Sequence, residues 1–269
     1  MTEHNQHSET VVEDMVLSAP DVPIVSVRNL TVGYPDGIVL RNVSFDVPRG
    51  KIFAILGRSG CGKSTLFKAM IGLIEPYEGE VIVDGDKVTP VSEGKSEALL
   101  RKIGVLFQSG ALFSSLTVAE NVALPLKQYT DLQDAIIEQL VLLKLSEVDL
   151  VGKERLLPSE LSGGMQKRAA LARAMALDPK LLFFDEPSAG LDPVTSADLD
   201  QTILRINASL STTIIVVTHE LPSILSVADR VILLDRDEKT IIAEGDPRAL
   251  RDASPDPRVK AFFNREPSD

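Results

Sequence analysis

The sequence is poor in cysteine and in long apolar runs. Cys61 is the one cysteine among 269 residues, which excludes an internal disulfide and predicts a reducing compartment. No apolar run approaches the roughly 18 residues that span a bilayer. No basic residue followed by an apolar stretch opens the chain. We therefore expect neither a membrane-crossing helix nor a secretory signal.

Basic residues are also scarce relative to acids. The chain has 28 lysines and arginines against 39 aspartates and glutamates, a formal net charge of −11. Because nucleic-acid binding relies on a positive field that meets phosphate, this balance disfavours a nucleic-acid partner. Residues 1–22 contain no lysine or arginine and five acids, and this composition predicts a disordered acidic tail.

Short apolar runs predict the strands of an α/β core. Ile52–Leu56 is continuously apolar, which is typical of a parallel strand buried on both faces. Upstream, a turn at Pro35–Gly37 separates two β-prone runs that begin near Ile24. Further strands are predicted at Val81–Val83, Leu181–Phe184, Thr213–Val217 and Val231–Leu234.

Residues from about 96 to 177 are largely helical in character and predict a helical subdomain inserted into the core. Thr130 and Gln133 resemble a capping box that opens a helix over 131–145. The face of this helix expected to be apolar carries Leu132, Ile136, Leu140 and Leu143. A second helix is predicted over 167–177, before Asp-Pro stops it.

The strongest functional motif is GRSGCGKS at residues 57–64, directly after the strand Ile52–Leu56. It fits the phosphate-binding pattern G-x-x-x-x-G-K-[ST], and the helical spacing of Leu66, Met70 and Leu73 predicts the helix that should follow. The glycines allow backbone N–H groups to converge on phosphate oxygens at the positive end of that helix. Lys63 would reach the β- and γ-phosphates, and the Ser64 hydroxyl would ligate Mg²⁺. The alternative is a fortuitous glycine turn.

Two other predicted strands end in polar groups. Asp185 and Glu186 follow Leu181–Phe184, where Asp185 would hold Mg²⁺ through water and Glu186 would polarise the attacking water. The alternative is that they cap the next helix. His219 follows Thr213–Val217 and could donate a hydrogen bond to a γ-phosphate, although a histidine at a strand end can also be purely structural.

A fourth segment, LSGGMQ at 161–166, places Ser162, Gly163 and Gly164 at a helix start, which can bind an anion. One chain does not need two phosphate clamps so far apart in sequence. We therefore expect this clamp to serve the nucleotide of a partner chain. A simple capped helix would explain Ser162 but not both glycines.

Together, these four segments resemble the ATP-binding-cassette (ABC) ATPases over about residues 24–246. The resemblance implies an α/β fold with a P-loop, RecA-like core, an antiparallel β subdomain and an inserted helical subdomain. It implies an ATPase domain over 23–246 and leaves 247–269 as a C-terminal tail. The nucleotide-binding residues it implies are Tyr34, Gly57, Ser59, Gly60, Gly62, Lys63, Ser64, Thr65, Ser162, Gly163, Gly164 and Asp192.

The resemblance further implies ATP and Mg²⁺ as cofactors. Glu186, His219 and Gln108 become the catalytic residues, and Ser64, Gln108 and Asp185 the metal ligands. Tyr34 matches the aromatic residue that stacks on adenine, and Asp192 the loop that communicates across a dimer. Two copies would then sandwich ATP head to tail, so that Ser162 of each copy reaches the γ-phosphate of the other.

Segments that flank these motifs are similar to the ATPases of Mla-type lipid transporters. The similar segments are QSGALF at 108–113, LTVAENV at 116–122, GMQKRAALARA at 164–174 and DPRVKAFF at 256–263. This similarity implies a peripheral subunit at the cytoplasmic face of the inner membrane, with a separate permease and an MCE-domain lipid-binding protein. The alternatives are the ATPase of a polar amino-acid or other solute importer, or a soluble ABC protein without a transport role.

Overall fold

The computed structural model of the chain describes residues 22–90 and 97–266. The predicted acidic tail, 1–22, falls outside these stretches except for its last residue. Within the two stretches, no helix is both long enough and apolar enough to cross a bilayer.

A four-stranded antiparallel sheet has the strand order β2–β1–β4–β5. Its strands are β1 (Val25–Tyr34), β2 (Gly37–Val47), β4 (Glu78–Val83) and β5 (Asp86–Lys87). β1 and β2 form a hairpin whose register pairs Tyr34 with Gly37, so the predicted turn at Pro35–Gly37 is confirmed.

A six-stranded sheet has the order β10–β9–β3–β8–β7–β6, and its pairs are parallel except for β10 with β9. Its strands are β3 (Ile52–Gly57), β6 (Ile103–Leu106), β7 (Leu181–Asp185), β8 (Thr213–Val217), β9 (Arg230–Leu234) and β10 (Ile241–Gly245). β3 lies inside the sheet and is buried along its whole length, because its side chains alternate between two core clusters on opposite faces. The predicted central strands are confirmed.

Helices surround this sheet. They are α1 (Lys63–Met70), α2 (Glu97–Lys102), α3 (Val118–Tyr129), α4 (Asp134–Glu147), α5 (Gly163–Ala174), α6 (Pro193–Leu210), α7 (Leu221–Val227), α8 (Pro247–Ala253) and α9 (Pro257–Phe263). α3, α4 and α5 pack against one another and form the helical part. α5 begins four residues before the predicted start at 167, and α1 ends before Leu73, which is half exposed.

The stretch 96–177 is largely helical, as predicted, but it also contains β6, a strand that the sequence did not predict. β6 joins the main sheet beside β7. A Cβ atom at Gly104 would lie 2.0 Å from the carbonyl oxygen of Ala174, so the close approach of β6 to the end of α5 requires glycine. Four residues between helices give too short a pattern for this strand to be recognised from periodicity.

Within this stretch, the capping box and the core face predicted for α4 are wrong. The helix begins at Asp134, and Gln133 makes no side-chain cap, while the Thr130 hydroxyl donates to the carbonyl of Leu126 at the end of α3. The buried face consists of Ile137, Val141, Lys144 and Leu145, whereas Leu132, Ile136 and Leu143 are exposed. α4 carries apolar residues on more than one face, so packing against α3 and α5, rather than periodicity, selects the buried one.

The segment 247–269, expected as a tail, contains α8 and α9, which the sequence did not predict. Val259 and Phe263 of α9 are buried in the same core cluster as one face of β3. Burial of these two side chains fixes α9 close to the carboxyl edge of the main sheet.

The loop between β6 and α3 depends on one buried amide. Asn121 is fully buried on α3, and its Oδ1 accepts a hydrogen bond from the backbone N–H of Phe113 at 2.8 Å. Its Nδ2 donates to the carbonyls of Phe113, Leu116 and Thr117 at 3.0–3.1 Å. An amide can satisfy both kinds of backbone group at once, which explains why a polar residue occupies this core position.

We predict that Asn121→Asp lowers the free energy of unfolding by about 3 kcal/mol, because a carboxylate would face three carbonyl oxygens without a donor. Denaturant unfolding of both proteins measures this difference. Gln139→Glu, the same amide-to-acid change on the exposed side of α4, is the control and should shift it by less than about 0.5 kcal/mol. Equal effects of the two substitutions would contradict the role of Asn121.

Candidate active site

The carboxyl ends of β3, β8 and β7 lie side by side, and a cleft of about 900 Å³ opens above them. The register pairs Ile55 with Val217 and Val217 with Asp185, so the three chain segments that follow these strands emerge together. Ten of the predicted site residues line this cleft. They are Gly57, Ser59, Gly60, Gly62, Lys63, Ser64, Thr65, Gln108, Glu186 and His219.

The loop between β3 and α1 has the geometry of a phosphate cradle. Gly60 and Gly62 adopt positive φ angles of 79° and 106°, which turn the chain from the strand into the helix. The Lys63 ammonium lies across the loop and donates to the carbonyls of Gly57 at 2.8 Å and Arg58 at 3.2 Å. A cation and the N-terminus of α1 thus face the same space, as binding of an anion requires.

Cys61 lies in the same loop but points into the core, where it is 2% exposed. Burial raises the pKa of its thiol, although the Lys63 charge opposes this shift. The thiol therefore behaves as a small apolar side chain rather than as a reactive thiolate.

Glu186 and His219 come from adjacent strand ends and contact each other. Oε1 of Glu186 lies 2.8 Å from Nδ1 of His219, and its Oε2 accepts a hydrogen bond from the Thr218 hydroxyl at 2.9 Å. Glu186 has a left-handed φ of 47°, and its backbone N–H donates to the carbonyl of Val217. Two contacts of the carboxylate and one of the backbone thus hold Glu186 in the lining of the cleft, where its carboxylate can accept a proton.

The helix-cap alternative for Asp185 and Glu186 is wrong. The next helix, α6, begins at Pro193, and its cap is Asp192, which accepts hydrogen bonds from the backbone of Val194 and Thr195.

Asp185 is half-buried at the end of β7 and is not among the residues that line the cleft. Its Oδ1 is buried without a hydrogen-bond partner among the residues that the structure describes. Burial, and then the neighbouring Glu186, raise the pKa of this carboxyl, whereas Lys68, Lys63 and Lys167 lower it. An unpaired buried carboxylate oxygen needs a donor or a cation.

This environment fits Mg²⁺. Hydroxyl, amide and carboxylate oxygens are available on Ser64, Gln108 and Asp185, and hard oxygen donors are what Mg²⁺ prefers. In the described part of the chain, no cluster of three or more His, Cys, Asp or Glu could form a metal cage. Mg²⁺ characteristically uses one or two carboxylates together with substrate phosphates and water, and the residues here match that pattern.

The residues of the LSGGMQ segment lie outside the cleft. Ser162 caps α5 by accepting a hydrogen bond from the backbone N–H of Met165 at 3.3 Å. Gly164 has a packing role, because a Cβ there would lie 2.4 Å from Cγ2 of Thr195 on α6. Gly163 is exposed, and a Cβ on it would make only an ordinary contact with Leu191. Packing therefore explains the glycine at position 164 but not the glycine at position 163.

Tyr34 and Asp192 are also outside the cleft. Tyr34 lies at the end of β1 and is 38% exposed. Asp192 is occupied by capping α6, and its other carboxylate oxygen accepts a hydrogen bond from the Thr195 hydroxyl at 2.6 Å.

Six residues line the cleft that the sequence did not single out. They are Val39, Arg58, Glu220, Leu221, Phe262 and Arg265. Arg58 and Glu220 sit inside or next to predicted motifs, so proximity alone could have suggested them. Phe262 and Arg265 come from α9 and the turn after it, about 200 residues from the phosphate loop, and no local signal places them there.

Comparison with known proteins agrees with this geometry. The ABC transporter family model matches residues 40–189. The chain is 43% identical to the "intermembrane phospholipid transport system ATP-binding protein MlaF" of Escherichia coli K12 over 241 residues, 90% of this chain and 88% of that protein. It is 43% identical to MlaF of Haemophilus influenzae over 243 residues, 90% and 91% of the two chains. A Mycobacterium leprae "probable ribonucleotide transport ATP-binding protein mkl" is 40% identical, over 89% of this chain and 68% of that protein.

Two solved structures share the fold. The ATP-binding cassette MJ0796, a dimer in a post-hydrolysis state bound to ADP and Pi, superposes with a TM-score of 0.74 at 31% identity, covering 82% of this chain and 98% of that one. CbiO1 from Clostridium perfringens, part of the ABC transporter complex cbiONQ, gives 0.78 at 29% identity, covering 90% and 96%. The chain therefore belongs to the ABC transporter family, in which it is an ATP-binding, ATP-hydrolysing subunit.

Proposed function

We propose that this chain drives phospholipid transport from the cytoplasmic face of the inner membrane, together with a separate permease and an MCE-domain lipid-binding protein. The observation that carries the proposal is the 43% identity over nine tenths of the chain to proteins named for intermembrane phospholipid transport. The 40% identity to a protein named for ribonucleotide transport supports a solute cargo as the second candidate.

The placement of Ser162 supports a catalytic unit of two copies. Ser162 and Gly163 are exposed at the start of α5, away from the cleft of their own chain, and a helix N-terminus attracts anions. In a head-to-tail pair, these residues would cover the γ-phosphate held by Lys63 of the other copy. ATP would then favour the closed pair, because both copies contact the γ-phosphate, and hydrolysis would remove that preference.

The residues that line the cleft support the following chemical roles within each site. Lys63 and the backbone of the phosphate loop bind and orient the β- and γ-phosphates. Glu186 accepts the proton of the attacking water, while His219, held by Glu186, hydrogen-bonds the γ-phosphate. Ser64, Gln108 and, through water, Asp185 would hold Mg²⁺, which when bound neutralises charge on the phosphates.

A separate apolar groove of about 250 Å³ supports a permease partner. It lies between the main sheet and the helical part, and its lining residues include Leu73, Phe107, Pro125, Tyr129 and Leu177. Phe107 lines this groove, and the next residue, Gln108, lines the nucleotide cleft. A permease segment seated here would be one residue away from the site of hydrolysis.

We predict that Glu186→Gln keeps ATP binding but lowers turnover by at least about 100-fold, because the amide retains the shape of the base and cannot accept the proton. Steady-state ATPase assays measure turnover, and light scattering with ATP and Mg²⁺ should detect a trapped dimer. Glu138→Gln, on the exposed side of α4, is the matched control and should behave as the unmodified protein. Hydrolysis by Glu186→Gln at the unmodified rate would refute the assigned role.

We predict that Ser162→Arg abolishes hydrolysis, with a loss of at least about 100-fold, and leaves nucleotide binding by the monomer intact. The bulky cation would block the approach of this helix start to the other copy. Calorimetric titration of monomeric protein with ATP separates the two effects. Ser209→Arg, at the exposed end of α6, controls for an added arginine. Loss of monomer binding in Ser162→Arg would instead place Ser162 in the site of its own chain.

We predict that the chain, purified from native membranes in mild detergent, brings with it a permease, an MCE-domain protein and bound phospholipid. Mass spectrometry of proteins and lipids from the same sample identifies them. If a solute receptor or a different type of permease is found in place of the MCE-domain protein, phospholipid is ruled out as the cargo. The proposed ATPase mechanism would be unaffected.

A further inference from the structure

The loop that carries Gln108 lies directly on α5. A Cβ atom at Gly110 would be 3.4 Å from Cβ of Ala170, so this loop and the middle of the helix are in close contact. The backbone of Gly110 and Ala111 is left-handed, with φ angles of 74° and 49°, and turns both carbonyl oxygens toward α5.

Two cations of α5 bind the carbonyl oxygens of this loop. The Lys167 ammonium donates to the carbonyl of Gln108. The Arg173 guanidinium donates to the carbonyls of Gly110 at 2.8 Å and Ala111 at 2.7 Å. The planar fork of arginine suits two neighbouring acceptors, and charged donors make stronger hydrogen bonds than neutral ones.

The position of Lys167 is unusual for a lysine, because it is 7% exposed. Burial lowers the pKa of its ammonium, while Asp185 and Glu186 act in the opposite direction. The cation therefore lies in the field of the two catalytic-site acids while its hydrogen bond goes to the loop. Lysine is rarely buried without a partner, so this site depends on the Gln108 carbonyl and on the nearby acids.

We propose that Lys167 and Arg173 are positioning residues that fasten the Gln108 loop to α5, so that Gln108 and Ser162 move as one body. Lys167 lies five residues after Ser162 on the same helix. The inference rests on the proposed head-to-tail pair in one respect. In that pair, Gln108 serves the nucleotide of its own chain, whereas Ser162 serves the nucleotide of the other copy.

The consequence is a mechanical link between the two nucleotide sites. When Ser162 docks on the γ-phosphate of the other copy, α5 shifts, and Lys167 and Arg173 carry Gln108 with it. Gln108 then reaches its working position in one site only if the other site is also closing. Because Arg173 and Phe107 both line the apolar groove, a permease segment seated there would act on the same body.

The test combines hydrogen exchange with kinetics on the full chain. Lys167→Met keeps the length of the side chain and removes the donor, Arg173→Met does the same for the second contact, and Lys167→Arg restores a cation. Lys153→Met removes a lysine from the exposed surface of the helical part and is the control. Without nucleotide, we expect exchange of the amides of residues 109–112 to rise about tenfold in both methionine variants, with the amides of α5 unchanged.

In steady-state assays, we expect Lys167→Met to lower kcat about tenfold with KM for ATP unchanged within about twofold, and Lys167→Arg to recover most of the loss. Unchanged exchange at 109–112, or an unchanged kcat, would overturn the proposal. Exchange that rises equally through α5 would overturn it as well, because it would show a fold defect rather than a lost positioning contact.

A separate measurement keeps this outcome distinct from the proposed pairing of two copies. In the Glu186→Gln background, addition of ATP and Mg²⁺ should protect the amides of residues 162–165 if Ser162 docks on a second copy. Absence of that protection would count against the pair, while the nucleotide-free exchange at 109–112 would still decide the role of Lys167 and Arg173.

Discussion

The parallel pairing of β3, β8 and β7 is the constraint on which the rest of the structure depends. Parallel strands end at the same edge of a sheet, so this order brings the phosphate loop, His219 and Glu186 into one cleft. Such strands must be covered on both faces, and the alternation of β3 between two core clusters meets that need. A shift of one residue in any strand would exchange the two faces and separate the site residues, so packing of the core and geometry of the site are specified together.

The charged residues at the carboxyl edge of the main sheet favour binding of an anionic substrate, but they lower the stability of the protein without nucleotide. Asp185 and Glu186 are adjacent carboxylates, and burial raises the pKa of Asp185. Glu186 is also held in a left-handed conformation, a type of strain that costs on the order of 1–3 kcal/mol. The lysines around them, Lys63 and Lys167 among them, offset part of the repulsion. A cation between Asp185 and the phosphates would offset the remaining repulsion between the carboxylates. This is a physical reason to place Mg²⁺ there.

Local motifs made much of this site predictable from sequence. Recognition of the GRSGCGKS loop requires only a strand before it and a helix after it, and the pattern of apolar residues predicted both. Features that depend on contacts between distant parts of the chain could not be predicted from the sequence. The buried face of α4 depends on α3 and α5, β6 depends on pairing with β7, and Phe262 and Arg265 reach the cleft through the burial of Val259 and Phe263. Each of these is decided by surfaces that meet only after the chain has folded, so no window of sequence contains the information.

The position of α5 places one helix next to three features: the surface proposed to meet the second copy, the loop of Gln108 and the apolar groove. Its first residues are exposed outside the cleft, its middle contacts the loop of Gln108, and its far end lies against β6 and the apolar groove. Packed elements of this kind respond to a force as rigid bodies, because close-packed interiors have discrete arrangements rather than continuous ones. A γ-phosphate contact at one end of α5 and a permease contact near the other would therefore bias the same displacement. Coupling between hydrolysis and transport then requires no long-range pathway beyond this one helix and the two cations that hold the Gln108 loop to it.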